Sequence, residues 1–208
     1  MNNNSINSIF KSRKTILELL YVKGYDVDSY SDFSINEIDA MMNNSQLDML
    51  IQHPTTNKKT YVKYSLSTKQ VRWQNNLEEV IEDLYYIENV LSPNDDLVII
   101  INEEPNENLL KKLEYLYNHD GLFVVMHNIN RLQFNILNHH LVPDCKVLSK
   151  KEVDEFKKEY NVSNNKQLPE ISRFDPQALA LCVRPGDICK FNKKSINSIF
   201  SNYYRICV

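Results

Sequence analysis

At 208 residues, 42% hydrophobic and 25% charged, the chain has the composition of an ordinary globular protein, with length for one large core or two small ones. A formal net charge of −3 argues against a protein that grips DNA unaided, because autonomous binders present a basic face that neutralises several phosphates. Four scattered cysteines without a Cys-x-x-Cys pair predict reduced thiols in an intracellular protein, and no apolar run reaches the length of a membrane span.

The opening Met1-Asn2-Asn3-Asn4 is unlike a signal peptide, in keeping with an intracellular chain. Ile6, Ile9, Phe10, Ile16, Leu17 and Leu20 share one face at helical spacing, and Gly24 suits a left-handed stop, so a helix is predicted over Asn7–Lys23. Lys11, Arg13 and Lys14 on it read as a solvated face. Ser34-Ile35-Asn36-Glu37 is a capping box opening a short helix toward Met42. Leu47, Met49 and Ile51 recur at every second position as a half-buried strand ending at His53-Pro54, with Tyr61–Leu66 as its hairpin partner.

Leu77, Val80, Ile81, Leu84, Ile87 and Leu91 form the clearest amphipathic stripe, with Asn75 or Asn76 as its cap. The continuous apolar run Leu97–Ile101 predicts a strand covered on both faces. A helix over Asn106–Asn118, a strand over Leu122–Met126 and a further strand through Leu132, Phe134 and Ile136 follow. These elements make an α/β domain around a mixed sheet, bounded near Asn138.

Beyond it, Ser149-Lys150-Lys151-Glu152 is a second capping box, opening a helix that turns Val153, Phe156 and Tyr160 inward. After the polar stretch Asn161–Gln167 come short extended pieces punctuated by Pro169, Pro176 and Pro185. Gly186 marks a turn, and Ile188–Phe191 with Tyr203–Val208 make an antiparallel pair. Cys182, Cys189 and Cys207 lie in apolar surroundings as small hydrophobes. The hexamer Ser-Ile-Asn-Ser-Ile-Phe occurs at Ser5–Phe10 and Ser195–Phe200 with no similarity around it, which is coincidence in a biased composition and not a repeat.

Chemistry is sparse. Three glycines cannot build a phosphate or dinucleotide loop, and no nucleophile elbow or zinc motif is present. His139 and His140 are adjacent, so their side chains diverge and do not clamp a metal, and no cofactor is expected. One enzymatic pattern stands as the alternative. Asp48 on one strand and Lys63 on the next are spaced as in restriction-endonuclease-like sites, with Glu18 as a further carboxylate. Tyr61 stands where the second metal-binding acid belongs, and a tyrosine does not supply that charge.

The succession His139-His140-Leu141-Val142-Pro143, Gln167-Leu168-Pro169-Glu170-Ile171, Asp175-Pro176, Arg184-Pro185-Gly186-Asp187-Ile188-Cys189-Lys190 and Tyr203-Tyr204-Arg205-Ile206-Cys207-Val208 carries the strongest signal in the chain. It resembles the C-terminal assembly domain of the shared fifth subunit of eukaryotic RNA polymerases and of its archaeal counterpart. Phe10–Ile16 with Lys23-Gly24-Tyr25, and Leu47–His53, resemble the opening helix and first hairpin strand of the eukaryotic-type members. The resemblance implies an N-terminal jaw domain (1–138) with a nuclease-like but inactive mixed sheet, and a small α+β assembly domain (139–208). It implies a non-catalytic subunit of DNA-directed RNA polymerase that docks on the largest subunit, with the jaw near downstream DNA. By position, the docking residues would be Pro169, Asp175, Pro176, Arg184, Gly186, Asp187 and Arg205. For Asp175 and Gly186 a role internal to the fold weighs equally.

The stretch Lys193–Ile199 departs from the family, whose members carry a loop close to Arg-Pro-Ser-Glu-Thr-Ala-Gly there. That loop, with a bias toward Asn, Ile, Lys and Tyr that fits an AT-rich genome, favours a virus as the source. A virion or host cytoplasm is then the expected location, and the nucleus if the gene is cellular.

Overall fold

The computed structural model describes residues 3–66, 73–193 and 199–208. The chain divides into two compact units, Met1–Phe134 and Asn135–Val208. The division falls a few residues ahead of the Asn138 boundary read from the sequence, because a 3₁₀ turn at Ile136–Asn138 belongs to the second unit, where it packs against a helix described below.

The first unit opens with helices α1 (Asn3–Val22), α2 (Asp28–Ser31) and α3 (Ile35–Asn43). The Ser34 capping box forms as expected: Glu37 accepts from the Ser34 N–H at 2.7 Å and its own N–H reaches Ser34 Oγ. A four-stranded sheet follows in the order β1 (Met49–Gln52), β2 (Lys59–Ser65), β3 (Asp96–Ile101), β4 (Phe123–Asn128). The β1/β2 hairpin is antiparallel and the other two pairs are parallel, so the sheet is mixed. Every residue of β3 and β4 is buried, which is why their apolar runs are continuous rather than alternating. Helices α4 (Trp73–Ile81) and α5 (Glu107–Tyr115) connect the parallel strands, each ending in a π-helical segment, Glu82–Ile87 and Leu116–Asp120.

Four readings of this unit need correction. A π turn holds more residues than an α turn and shifts the stripe, so Tyr85 is buried and Ile87 is 66% exposed. Helix α4 starts at Trp73, which places Asn75 and Asn76 inside it rather than at its cap. No strand runs through Leu132, Phe134 and Ile136. Asn128 and Asn135 accept from the N–H two residues on and initiate 3₁₀ turns at Ile129–Leu132 and Ile136–Asn138, leaving Phe134 exposed. Arg13 is not on a solvated face. It is 3% exposed, donates to the Leu47 carbonyl at 2.9 Å, and lies over the rings of Tyr30 and Phe33. Its burial lowers the guanidinium pKa.

The β1 edge of this sheet is capped by the Tyr30 side chain and by the Asp26 backbone. The His53–Lys58 hydrogen bond sets the phase of the β1/β2 ladder, so Leu50 and Gln52 turn their backbone groups outward. Tyr30 Oη donates to Leu50 O at 3.2 Å and accepts from Leu50 N at 3.3 Å. The Asp26 N–H donates to Gln52 O at 3.2 Å.

The second unit is an α+β fold around a sheet in the order β5-β7-β8-β6: β5 (Asp144–Val147), β6 (Glu170–Ile171), β7 (Ile188–Lys193) and β8 (Ser201–Cys207). The β6/β8 pair is parallel and the others antiparallel. Alternation on β7 serves two layers. Cys189 and Phe191 pack with Ala178, Leu181, Val183 and Cys207, while Ile188 joins Phe156 and Ile206. Phe156 comes from α6 (Lys150–Glu159), which opens with the Ser149–Glu152 capping box; Val153 is half-buried and Tyr160 about half exposed. The piece around Pro176 is not extended. It is helix α7 (Pro176–Ala180), with Asp175 as its N-cap and the Ile136–Asn138 turn packed against it. The β7/β8 hairpin pairs out to Lys193 and Ser201. Most of the divergent loop, 194–198, and with it most of the second hexamer, lies outside the described residues.

Candidate docking surface

The nuclease-like pattern resolves into a local ion pair. Asp48 accepts from the Tyr64 N–H at 2.9 Å and from Tyr61 Oη at 3.2 Å, and Lys63 Nζ lies 3.5 Å away. Burial first, and then the Asp48 charge, raise the Tyr61 pKa, so the phenol stays protonated and serves as a donor. The Asp48 oxygens are thus occupied by donors. Among the described residues no group of three or more His, Cys, Asp or Glu is placed to hold a metal ion. His139 and His140 are exposed, and their side chains do not diverge as expected: the ring centroids lie 4.7 Å apart with planes 30° from parallel.

The residues expected to dock on a partner fall into three local structures. Asp175 Oδ1 accepts from the Gln177 N–H at 2.9 Å, and Pro176 takes the first helical position, where its missing N–H costs nothing. Asp187 Oδ2 accepts from the Arg184 N–H at 2.9 Å, closing the turn that Gly186 makes at φ +94°. That turn is fastened to β8 by Gly186 N–H to Cys207 O and Cys207 N–H to Asp187 O, both 2.9 Å. Asp175, Gly186 and Asp187 therefore shape the fold. Arg184 is half-buried and holds its place through its backbone in the turn.

Pro169 and Arg205 sit together elsewhere. Both are exposed and line a shallow groove of about 310 Å³ whose walls are Phe156, Tyr160, Tyr203 and Tyr204. Phe156 lies 4.1 Å from Tyr204 and 5.1 Å from Tyr160, ring centre to ring centre. Arg205 spans the Tyr203 ring and donates to the Glu170 carbonyl at 3.3 Å. Helical spacing predicts Tyr160 inward with Phe156, yet Tyr160 is 52% exposed and only Phe156 is buried. The spacing does not foresee that Tyr160 and Tyr204 meet across two elements, since only the fold brings them together.

Strand β5 also escapes the sequence reading, although its Asp-Cys-Lys-Val alternation carries the period of a half-covered strand. Below it the thiols of Cys145 and Cys189 share a hydrogen bond. Donation from Cys189 lowers the Cys145 pKa, whereas Cys189, the donor in a buried site, is raised. Burial, and then Asp187, push Cys207 up to about 11. No described helix is long and apolar enough to cross a membrane.

A family profile described as "RNA polymerase Rpb5, C-terminal domain" matches residues 134–207, which is nearly the whole of the second unit. Curated relatives agree. The chain is 40% identical over 76 residues to DNA-directed RNA polymerase subunit Rpo5 of Thermococcus kodakarensis, a stretch covering 36% of this chain and 92% of that protein. It is 39% identical over 77 residues to Rpo5 of Archaeoglobus fulgidus, covering 37% of this chain and all of that protein. With Rpo5 of Nitrosopumilus maritimus the identity is 38% over 76 residues, 36% of this chain and 90% of the relative. Matched over nearly the whole length of these relatives, the chain belongs to the family of non-catalytic fifth subunits of DNA-directed RNA polymerases.

Proposed function

We propose that this protein is an assembly subunit of a multisubunit DNA-directed RNA polymerase, docking on the largest subunit through its second unit. The coincidence of the family match, 134–207, with the compact unit Asn135–Val208 carries the reading. Pro169 and Arg205 offer exposed contact groups beside the aromatic groove, the arginine being suited to a partner carboxylate. Exposed Pro176 and half-buried Arg184 complete the docking set, and Asp175, Gly186 and Asp187 hold the two turns that preshape the surface, which lowers the ordering cost of binding. The first unit serves as a jaw near downstream DNA, with weak or indirect contact, in keeping with the net charge of −3. Such a subunit works inside the cell or virion that holds the polymerase, and the divergent Lys193–Ile199 loop suits a diverged, viral largest subunit.

Affinity purification of the intact chain from its native source, with mass spectrometry, tests this. Stoichiometric large polymerase subunits are expected, and their absence overturns the reading. A parallel pull-down against host and viral largest subunits tests the viral assignment, which preferential host binding would sink.

A further inference from the structure

Two sheet edges in this chain are capped in part by the chain's own residues. At β1, Tyr30 occupies both outward groups of Leu50 and the Asp26 N–H the outward carbonyl of Gln52; at β6, Arg205 occupies the outward carbonyl of Glu170. Strand β5 differs. The Leu148 N–H bonds the Ile188 carbonyl at 2.9 Å, and the register pairs Lys146 with Lys190 and Asp144 with Asn192. An antiparallel ladder alternates, so those even-numbered residues bond inward to β7, and Cys145 and Val147 direct their N–H and C=O away from the sheet. The Pro143 carbonyl, next along the same edge, is occupied by Gln177 Nε2 at 2.7 Å. Among the described residues no hydrogen bond reaches the backbone of Cys145 or Val147.

Side-chain burial agrees. Both residues belong to the face that packs on the core of the second unit, yet each is only half-buried. On the opposite face Lys146 and Lys190 stand directly across from one another, an unfavourable like-charge pair that Glu152 offsets through Lys146 alone. Exposed Lys150 and Lys151 follow on the start of α6.

We propose that the β5 edge accepts an extended segment of a partner chain as a fifth strand of this sheet. That segment alternates apolar side chains, which complete the cover over Cys145 and Val147, with acidic ones, which face Lys146 and Lys190. Main-chain bonds to the two outward residues supply affinity and the alternation supplies specificity. This rests on the assembly reading and names the surface and chemistry through which assembly proceeds.

Hydrogen exchange across Asp144–Leu148, in the intact chain alone and in its purified complex, tests the idea directly. In the free chain the Cys145 and Val147 amides exchange fast while Lys146 and Leu148 are protected. In the complex the first two slow by at least roughly 10-fold. Two variants accompany the measurement. Val147→Pro removes an outward donor, which is tolerated on an edge strand, and trims a half-buried side chain; Lys146→Glu reverses the charge and breaks the Glu152 pair without touching the backbone. Each is expected to lower recovery of the large subunits by at least roughly 10-fold with the melting temperature of the free chain kept. Val147→Pro that fails to fold leaves Lys146→Glu and the exchange data to decide. Large subunits recovered with wild type but exchange unchanged at Cys145 and Val147 overturns the strand inference and leaves the assembly reading intact. No large subunit recovered with wild type overturns both. Protection of these amides in the isolated chain, rising with its concentration, assigns the edge to a second copy and overturns the proposal.

Discussion

The two sheets treat their first strands in opposite ways. In β1 the inward side chains are fully buried and the outward backbone is capped by Tyr30 and Asp26; in β5 the inward side chains are half-covered and the outward backbone is bare. An uncapped edge is a template for pairing, and folds that must stay single close it. The first unit thus carries the marks of a self-sufficient body, and the second those of a surface awaiting a neighbour. The difference lies in a few capping groups, since both strands are four residues long and both sit at the end of a four-stranded sheet.

The sharpest way to break this contrast is to test whether the second unit stands alone at all. Phe156 is 5% exposed and joins Ile188 and Ile206, so Phe156→Ala should cost about 3–5 kcal/mol in urea unfolding. A loss below about 1 kcal/mol would mean that this core forms only in the assembly.

The first unit should instead respond to acid. Burial, with Arg131 nearby, depresses the His127 pKa from its ordinary 6.5 to about 4. The unfolded chain binds the proton more readily, so the stabilisation is fully present above about pH 6.5 and is lost as pH falls toward 4, by up to roughly 3 kcal/mol. Unfolding titrations at pH 7 and pH 4.5 should diverge for wild type, and the divergence should shrink in His127→Leu.

A smaller effect is expected at the turn beneath β8. Gly186 adopts φ +94° with open space where a Cβ would stand, so Gly186→Ala meets backbone strain and no clash, costing about 1–2 kcal/mol. Smallest in energy is Tyr30→Phe, about 1 kcal/mol or less because the bonds to Leu50 are exposed. Its informative readout is light scattering. Uncapping β1 should raise self-association, and an unchanged profile would mean that the cap does not guard that edge.

Much of the architecture is legible in the sequence because local chemistry and tertiary structure agree. Both capping boxes form, the buried run Leu97–Ile101 is β3, and Gly24 has φ +86°. The failures are places where a local rule is outvoted or a signal passed over. Arg13 looks like a surface cation until Tyr30, Phe33 and the Leu47 carbonyl arrive from distant sequence to receive it. The Phe134 alternation yields to two asparagine-initiated turns. The cap-and-proline pair Asp175-Pro176 is a helix start in its own right, and it passes for an extended piece because α7 is only five residues long. Within the docking set, sequence does not distinguish residues that shape turns from residues that face outward. Asp175 and Asp187 are spent on backbone N–H groups, and only three-dimensional pairing reveals it.

The thiol of Cys145 gives the bare edge a chemical voice. It is half-accessible and lowered in pKa by its bond from Cys189, while Cys189 and Cys207 are buried. In the free chain iodoacetamide should therefore mark Cys145 and the equally half-buried Cys182 ahead of the buried Cys189 and Cys207. Once a strand lies across β5, the carboxamidomethyl mark on the Cys145 peptide should fall relative to that on Cys182, so the occupancy of the edge can be counted by mass without mutation.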